Sequence, residues 1–373
     1  MTQPVTDPNT DPQLVMRSII QRIATGPDLS KDISEQEAYL GLKAILEDRI
    51  DPVQAGIFFI ALRMKRESME ENKGILSAVH EATETVTADV DEVLDIADPY
   101  DGYNRTLPAS PFLGPLLAEC GLHVVTHGLD KVGPKNGITH RHIWEALGVP
   151  VDLSPVEAAK RLSEPSLGWS YLDQASFCPK LHDLLPLRTK MIKRQVLTTV
   201  EVLAKPISGR LKTHFMTGYV HKPYPPIYAE LARHVGFDSA VLVRGVEGGV
   251  IPSLRQEGKY FHYHDKHAES HVDVNPADLG IAQELRSVGL PDDLPKAPQA
   301  DEIEVGVDLK AAAQRAAELG MAALRGEQGA TYDSLVYAGA IMLHHVGKAD
   351  TLKAAADQVR AVLDSGKAAE RVK

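Results

Sequence analysis

The sequence predicts an α/β protein with a small amino-terminal helical domain and a large domain built on a mainly parallel sheet with helices on both faces. Three observations predict it. From Gln13 to about Val79, apolar residues recur only at helical spacing. After Thr87, short β-branched segments alternate with helical ones, the pattern of parallel strands joined by crossover helices. Finally, a chain of 373 residues with 43% hydrophobic and 24% charged side chains can bury a core of this size.

Residues 1–12 are rich in Pro, Thr and Asp and read as a disordered tail without the basic start and apolar run of a secretory signal. The helical domain is placed at 13–80, joined by part of 181–206. Leu14, Ile19, Ile20 and Ile23 lie on one helical face. Ser34, followed by Glu35 and Glu37, reads as a helix cap before the stripe Ala38, Leu42, Ile45 and Leu46. Asp51-Pro52 starts the next helix, with Pro where its missing N–H costs nothing. Gln54–Arg63 is apolar nearly all round, so burial on two sides is expected, against the large domain or a second subunit.

The large domain is placed at 81–373. Its predicted strands are Val93–Ala97, Leu122–Thr126 and Ser239–Arg244; its predicted helices include Leu113–Glu119, Ile143–Leu147, Pro155–Leu162 and Ile227–Val235. Pro291–Glu302 reads as a Pro- and acid-rich linker, and from Leu309 the chain is helical and Ala-rich. Ligands of such sheets sit beyond the carboxyl ends of the strands. That directs attention to the loops 98–106, 127–137 and 245–255.

Forty basic against 51 acidic residues leave a net charge of −11, which argues against non-specific duplex DNA binding. The longest apolar run, Ala55–Leu62, is far below the ~20 residues of a membrane span. Cys120 and Cys178 form no metal or disulfide spacing and suit a reducing cytosol as small buried hydrophobes, so a cytoplasmic location is expected.

Several ordered segments together resemble the anthranilate phosphoribosyltransferase family, from about Gln13 to Ala368. They are the helical opening ending in RMKRES, CGLHVVTHG, WEALGVPVDLSPVEAAKRL, LHDLLPLR, VNPADLGI and LDSGKA. The resemblance implies a cleft between the two domains that takes a phosphorylated ribosyl ligand. It also implies a departure. Where the family has a Gly-Thr-Gly-Gly-Asp loop holding a diphosphate, this chain has Asp98, Pro99, Tyr100, Asp101 and Gly102. Pro99 removes a donor, and Asp98 adds a charge that, ~4 Å from an anion, repels it by about 4 kcal/mol at an effective dielectric of 20. The family's magnesium-holding Asp-Glu pair falls on Val250 and Ile251, so no metal ligand is assigned, and Mg is expected only if ligand-borne. The pattern DPYDGYNRTLP, HGLDKVGPKNG and RGVEGG resembles a divergent branch, some of whose members bind nucleic acids.

The candidate ligand-binding residues are Asp101, Gly102, Asn104, Arg105, Thr106, Ser110, His127, Gly128, Lys135, Gly137 and Arg188. The resemblance gives Arg188 and His127 to an acceptor, and Ser110, Arg105 and Lys135 to phosphate. The alternatives are a surface turn for the first loop and a histidine stapling loop to core for His127. Lys131, Lys135, His140, Arg141 and His142 form a basic stretch, either an anion patch or a solvated face. Arg210, Lys212, His214, His221 and Lys222 form another, and both would have to face the groove to make it positive. In FHYHDKHAESH, a strand would pair His262 with His264 and a helix His267 with His271; exposed imidazoles on a loop are the preferred reading over a zinc site. The expected function is binding of a phosphorylated ribosyl small molecule, with transfer of a pentosyl group to an acceptor other than anthranilate. The alternative is a non-catalytic binder of single-stranded nucleic acid in the same cleft. A homodimer through the helical domain is expected, and no membrane partner.

Overall fold

The structure, a computed structural model, describes residues 4–26, 28–298 and 303–373. Four helices open it: α1 (Pro12–Ile23), α2 (Glu35–Leu46), α3 (Pro52–Lys65) and α4 (Met69–Ala82). Each is started by its own sequence. Asp11 and Asp51 accept from the backbone of Gln13 and Val53, and Ser34 and Ser68 form capping boxes with Glu37 and Glu71. Ile19, Leu42, Phe58, Phe59, Leu62 and Ile75 are buried between them. Helices Leu185–Met191 and Leu197–Val200 pack on α3 and α4. Within one chain α3 is covered on one side only, because Val53, Ile57 and Met64 stay 70%, 37% and 77% exposed. Of the amino-terminal tail, residues 1–3 lie outside the described residues, while Val5 N donates to Glu37 Oε1 at 3.1 Å. The tail is therefore anchored at that point rather than free.

The remaining strands are β1 (Val86–Thr87), β2 (Glu92–Ala97), β3 (Val124–Gly128), β4 (Trp169–Asp173), β5 (Ile207–Ser208), β6 (Lys212–Gly218), β7 (Ser239–Val243), β8 (Gly258–His264) and β9 (Ser270–Val274). Among the described residues, seven form one sheet in the order β4-β3-β2-β6-β7-β8-β9, and β1 pairs with β5. The strands from β4 to β7 are parallel; β8 and β9 add an antiparallel edge hairpin. Val93 and Ala97 point into a core continuous with α1–α4, whereas Leu94 and Ile96 point into a second core under the carboxyl-terminal helices. That alternation is the period-two signature of a strand covered on both faces.

The expected α/β class and the strand at 93–97 are present, and the second predicted strand lies at 124–128, two residues later than expected. The pattern of β-branched runs missed β4, β6 and β8, whose sequences WSYLD, KTHFMTG and GKYFHYH carry polar or aromatic residues in place of Val and Ile, and β9, SHVDV, whose two valines alternate with polar residues. The histidine-rich stretch expected as a loop is the hairpin β8–β9. Of the predicted linker, residues 299–302 lie outside the described residues; within 291–298, Lys296 bridges Val307. No helix among the described residues is long and apolar enough to cross a membrane.

The chain runs from β2 outward through β3 to β4, then returns to lay β6 on the other side of β2. Successive crossovers thus diverge between β2 and β6, which leaves a crevice at their carboxyl ends.

Candidate functional site

The crevice is walled by three loops. The loop after β2 is built on Asp98, which is buried and surrounded by donors. Its Oδ2 accepts from Tyr103 OH at 2.8 Å, from His140 Nε2 at 2.9 Å and from Ser110 Oγ; its Oδ1 accepts from Val250 N at 3.0 Å. Burial works to raise this carboxyl's pKa, but the bonds from His140, Ser110 and Tyr103 outweigh it and hold it below the usual aspartate value. Asp98 therefore ties three loops together and does not face a ligand. Asp98 and Ser110, both expected beside a phosphate, are here bound to one another.

Gly102 and Gly137 let the first and second loops touch. A Cβ at Gly102 (φ +72°) would lie 2.6 Å from the Gly137 carbonyl carbon, and one at Gly137 would lie 2.5 Å from Tyr103 O. Lys135 is buried between the loops, its Nζ donating to Gly102 O at 2.5 Å and lying 3.3 Å from Asp101 Oδ1. Asp101 also takes Arg194 at 2.6 Å. Lys135 is thus a bracket between loops rather than a free phosphate ligand.

Glu247, in the loop after β7, closes the first loop. Its Oε2 accepts from Asn104 N at 3.0 Å, and its Oε1 from Arg105 N at 3.0 Å and Thr106 Oγ1 at 2.8 Å. It does so from a left-handed backbone, φ 55° and ψ 13°, a conformation that non-glycine residues hold only where surroundings over-determine it. The backbone N–H groups of Asn104 and Arg105 and the Thr106 hydroxyl are therefore taken by the chain's own carboxylate, while the Arg105 side chain stays exposed.

Two further candidates are also internal. The His127 ring links Asp95 Oδ1, 2.7 Å from Nε2, to Tyr100 OH at Nδ1, with the Phe177 ring against its edge. Burial and the nearby carboxylates Glu201, Asp95 and Asp173 push the Tyr100 phenol well above its usual value, so it stays protonated. His127 staples loop to core, the alternative reading of its sequence, and its neighbour Gly128 ends β3 against the Tyr171 hydroxyl. Arg188 is 1% exposed and makes a two-pronged pair with Glu201, both bonds 2.7 Å, plus a bond to Gln195 at 3.3 Å. Its guanidinium is turned to these internal partners.

The two basic stretches disperse as well. His140 is bound to Asp98, Arg141 pairs with Glu145, Asp152 and Asp173, and His142 pairs with Asp130. Arg210 and Lys212 lie at the amino end of β6, paired with Asp89, Asp91 and Asp265, away from the crevice. His221, from the same stretch, instead lines the crevice beside Arg63 and Arg194.

What the crevice does present is a cavity of about 210 Å³ at the ends of β2 and β6, where Arg63, Tyr100, Arg194, Tyr219, Tyr224 and Tyr228 converge. Arg63 donates to Tyr224 OH at 3.1 Å, and the Arg194 side chain is 42% exposed. Tyr219, Tyr224 and Tyr228 escaped the sequence reading because only the fold brings them beside Asp101 and Arg194. A larger hollow of about 1060 Å³ shares Val220 and Glu247 with the first. It carries Arg105, Arg244, Lys259 and Arg286, but also Glu257, Asp273 and Asp278.

Residues 17–83 match the glycosyl transferase family, helical bundle domain. An uncharacterized protein of Aquifex aeolicus is 27% identical over 267 residues, 72% of this chain and 79% of its own. The anthranilate phosphoribosyltransferase of Rhodopseudomonas palustris (strain BisA53) is 26% identical over 358 residues, 95% of this chain and 96% of its own. Anthranilate phosphoribosyltransferase from Saccharomyces cerevisiae, solved in complex with PRPP and Mg, superposes with a TM-score of 0.73 at 18% identity, covering 96% of both chains. Over nearly its whole length, then, this chain has the fold of the anthranilate phosphoribosyltransferases.

Proposed function

We propose that the chain binds a phosphorylated ribosyl ligand in the cavity between the ends of β2 and β6. The observation that carries this reading is the placement of two arginines and four tyrosines at the point where the strand order diverges. Arg194, exposed and held in place by Asp101, meets the phosphate; Tyr219, Tyr224 and Tyr228 give the sugar or base an apolar wall. The relatives that act on anthranilate support the ligand class and not the acceptor. A diphosphate would have to displace Glu247 from Asn104 and Arg105, which disfavours the relatives' own reaction and leaves transfer of a pentosyl group to another acceptor. The cavity carboxylates Asp101 and Glu247 are engaged by Lys135, Arg194 and backbone N–H groups. They present no free oxygen pair to a magnesium ion, so a cation enters only on the ligand.

Calorimetry with ribose 5-phosphate and with phosphoribosyl pyrophosphate plus magnesium tests the reading. Saturable heat is expected, with affinity reduced ~10–100-fold by Arg194→Ala, the worth of one charge-assisted bond. No heat at millimolar ligand would remove it. The second reading, single-stranded nucleic acid, draws on the continuity of the two hollows past Val220 and Glu247, longer than one nucleotide needs. It predicts oligonucleotide binding that weakens steeply with salt while the monoribosyl ligands stay silent.

The apolar face of α3 at Val53, Ile57 and Met64, with Ile192 64% exposed, supports a homodimer. Light scattering is expected to report twice 40.6 kDa, and Met64→Asp to shift the mass toward the single chain. A monomeric wild type would reject the dimer.

A further inference from the structure

At the other end of the sheet, away from the crevice, the strand register assembles an imidazole cluster. His214 on β6 is opposite Ser239 on β7, and Ser239 is opposite His264 on β8. His262 lies two residues before His264, on the same face. His345, the last residue of the helix Ala330–His345, comes down over this row from a different part of the chain. The His264 and His345 rings stack with centroids 4.2 Å apart, and the His262 ring stands 5.4 Å and 5.8 Å from them.

We propose that His262, His264 and His345 form a binding site for a divalent transition-metal ion of the zinc class, clamping the edge hairpin to the helix Ala330–His345. Each offers one ring nitrogen, and the three lie within 4.8 Å of one another. A tetrahedral zinc with bonds of about 2.0–2.1 Å needs its nitrogens about 3.4 Å apart, a contraction within reach of side-chain rotation on the edge strand.

The unsatisfied atoms point the same way. His345 is 6% exposed, and its Nδ1 is buried with no hydrogen-bond partner; the same holds for Nδ1 of His262. A buried lone pair without a donor is costly, and a metal ion would satisfy both at once. The opposite nitrogens are already tied: His345 Nε2 to Ser239 Oγ at 2.8 Å, and His262 Nε2 to Ser270 Oγ at 3.1 Å. Metal-bound imidazoles are oriented by this kind of bond from the far nitrogen. Ser239 Oγ also meets His214 Nδ1 at 2.7 Å, fixing the floor of the site. His264 is exposed, so the remaining coordination position opens to water. Imidazole without thiolate or carboxylate favours zinc, nickel or copper over magnesium or calcium.

The test uses the full chain freed of any affinity tag, stripped with a chelator and dialysed. Zinc is titrated in competition with a chromophoric chelator, and cobalt is added separately for its visible four-coordinate absorption. One zinc per chain with micromolar or tighter affinity is expected. His345→Ala and His264→Ala should each weaken it at least ~100-fold, given that loss of a mere outer partner costs ~10–100-fold. His271→Ala, on neighbouring β9 but outside the cluster, should leave it unchanged. Because His264 is exposed, its variant folds and decides the matter even if His345→Ala does not. Uptake of no zinc by the stripped chain overturns the proposal, as does unaltered affinity in His264→Ala.

Discussion

Replacing Arg188 with alanine is expected to destabilise the chain by about 3–5 kcal/mol, read as a lower denaturation midpoint. The guanidinium and the Glu201 carboxylate are each 1% exposed and bind one another through two bonds of 2.7 Å. Removing one partner strands a charge away from water, with only the Gln174 amide 3.3 Å away to serve it. The double replacement Arg188→Met with Glu201→Leu removes both charges and fills the volume, and should recover most of the loss. A ligand-binding Arg188 predicts the reverse: near-normal stability and lost affinity. If Arg188→Ala melts like the wild type, the buried pair is not what holds this helix.

Asp98→Ala carries the second large effect, about 3–5 kcal/mol, because it leaves Tyr103, Ser110, His140 and Val250 N without their common acceptor. The first and third loops lose their shared anchor, so binding in the crevice should fall along with stability. The same carboxylate sets an acid limit. Its pKa is lower in the folded chain than in the unfolded one, so the stability it supplies is complete above about pH 4 and is lost as pH falls through the folded value. Asp98→Ala should flatten that part of the acid-unfolding profile. Unchanged acid sensitivity in the variant would show that other carboxylates govern it.

The helical opening was legible because each signal is local. Asp11, Ser34, Asp51 and Ser68 cap helices through backbone groups two or three residues away, and the apolar stripe follows at fixed period. The three loops were found for a related reason, since strand ends in a parallel sheet are where ligands go. Their side chains were not. Arg105 and Glu247 are 142 residues apart, and Asp101 and Arg194 are 93. No spacing rule could show that Glu247 would claim the donors of Asn104–Thr106, or that Arg188 would find Glu201 before any ligand did.

Sequence alone determined the fold class, the small helical start, and the regions where a ligand would sit, because period, capping and strand–helix alternation act over a few residues. Tertiary structure alone decided which charges remain available. Lys135, Ser110 and Arg188 look like ligand-binding chemistry on paper, yet each is buried against a partner elsewhere in the chain. Burial makes an unpaired charge too costly to keep, so the fold settled those pairings first and left Arg194, the tyrosines and the histidine row as the groups still open to something else.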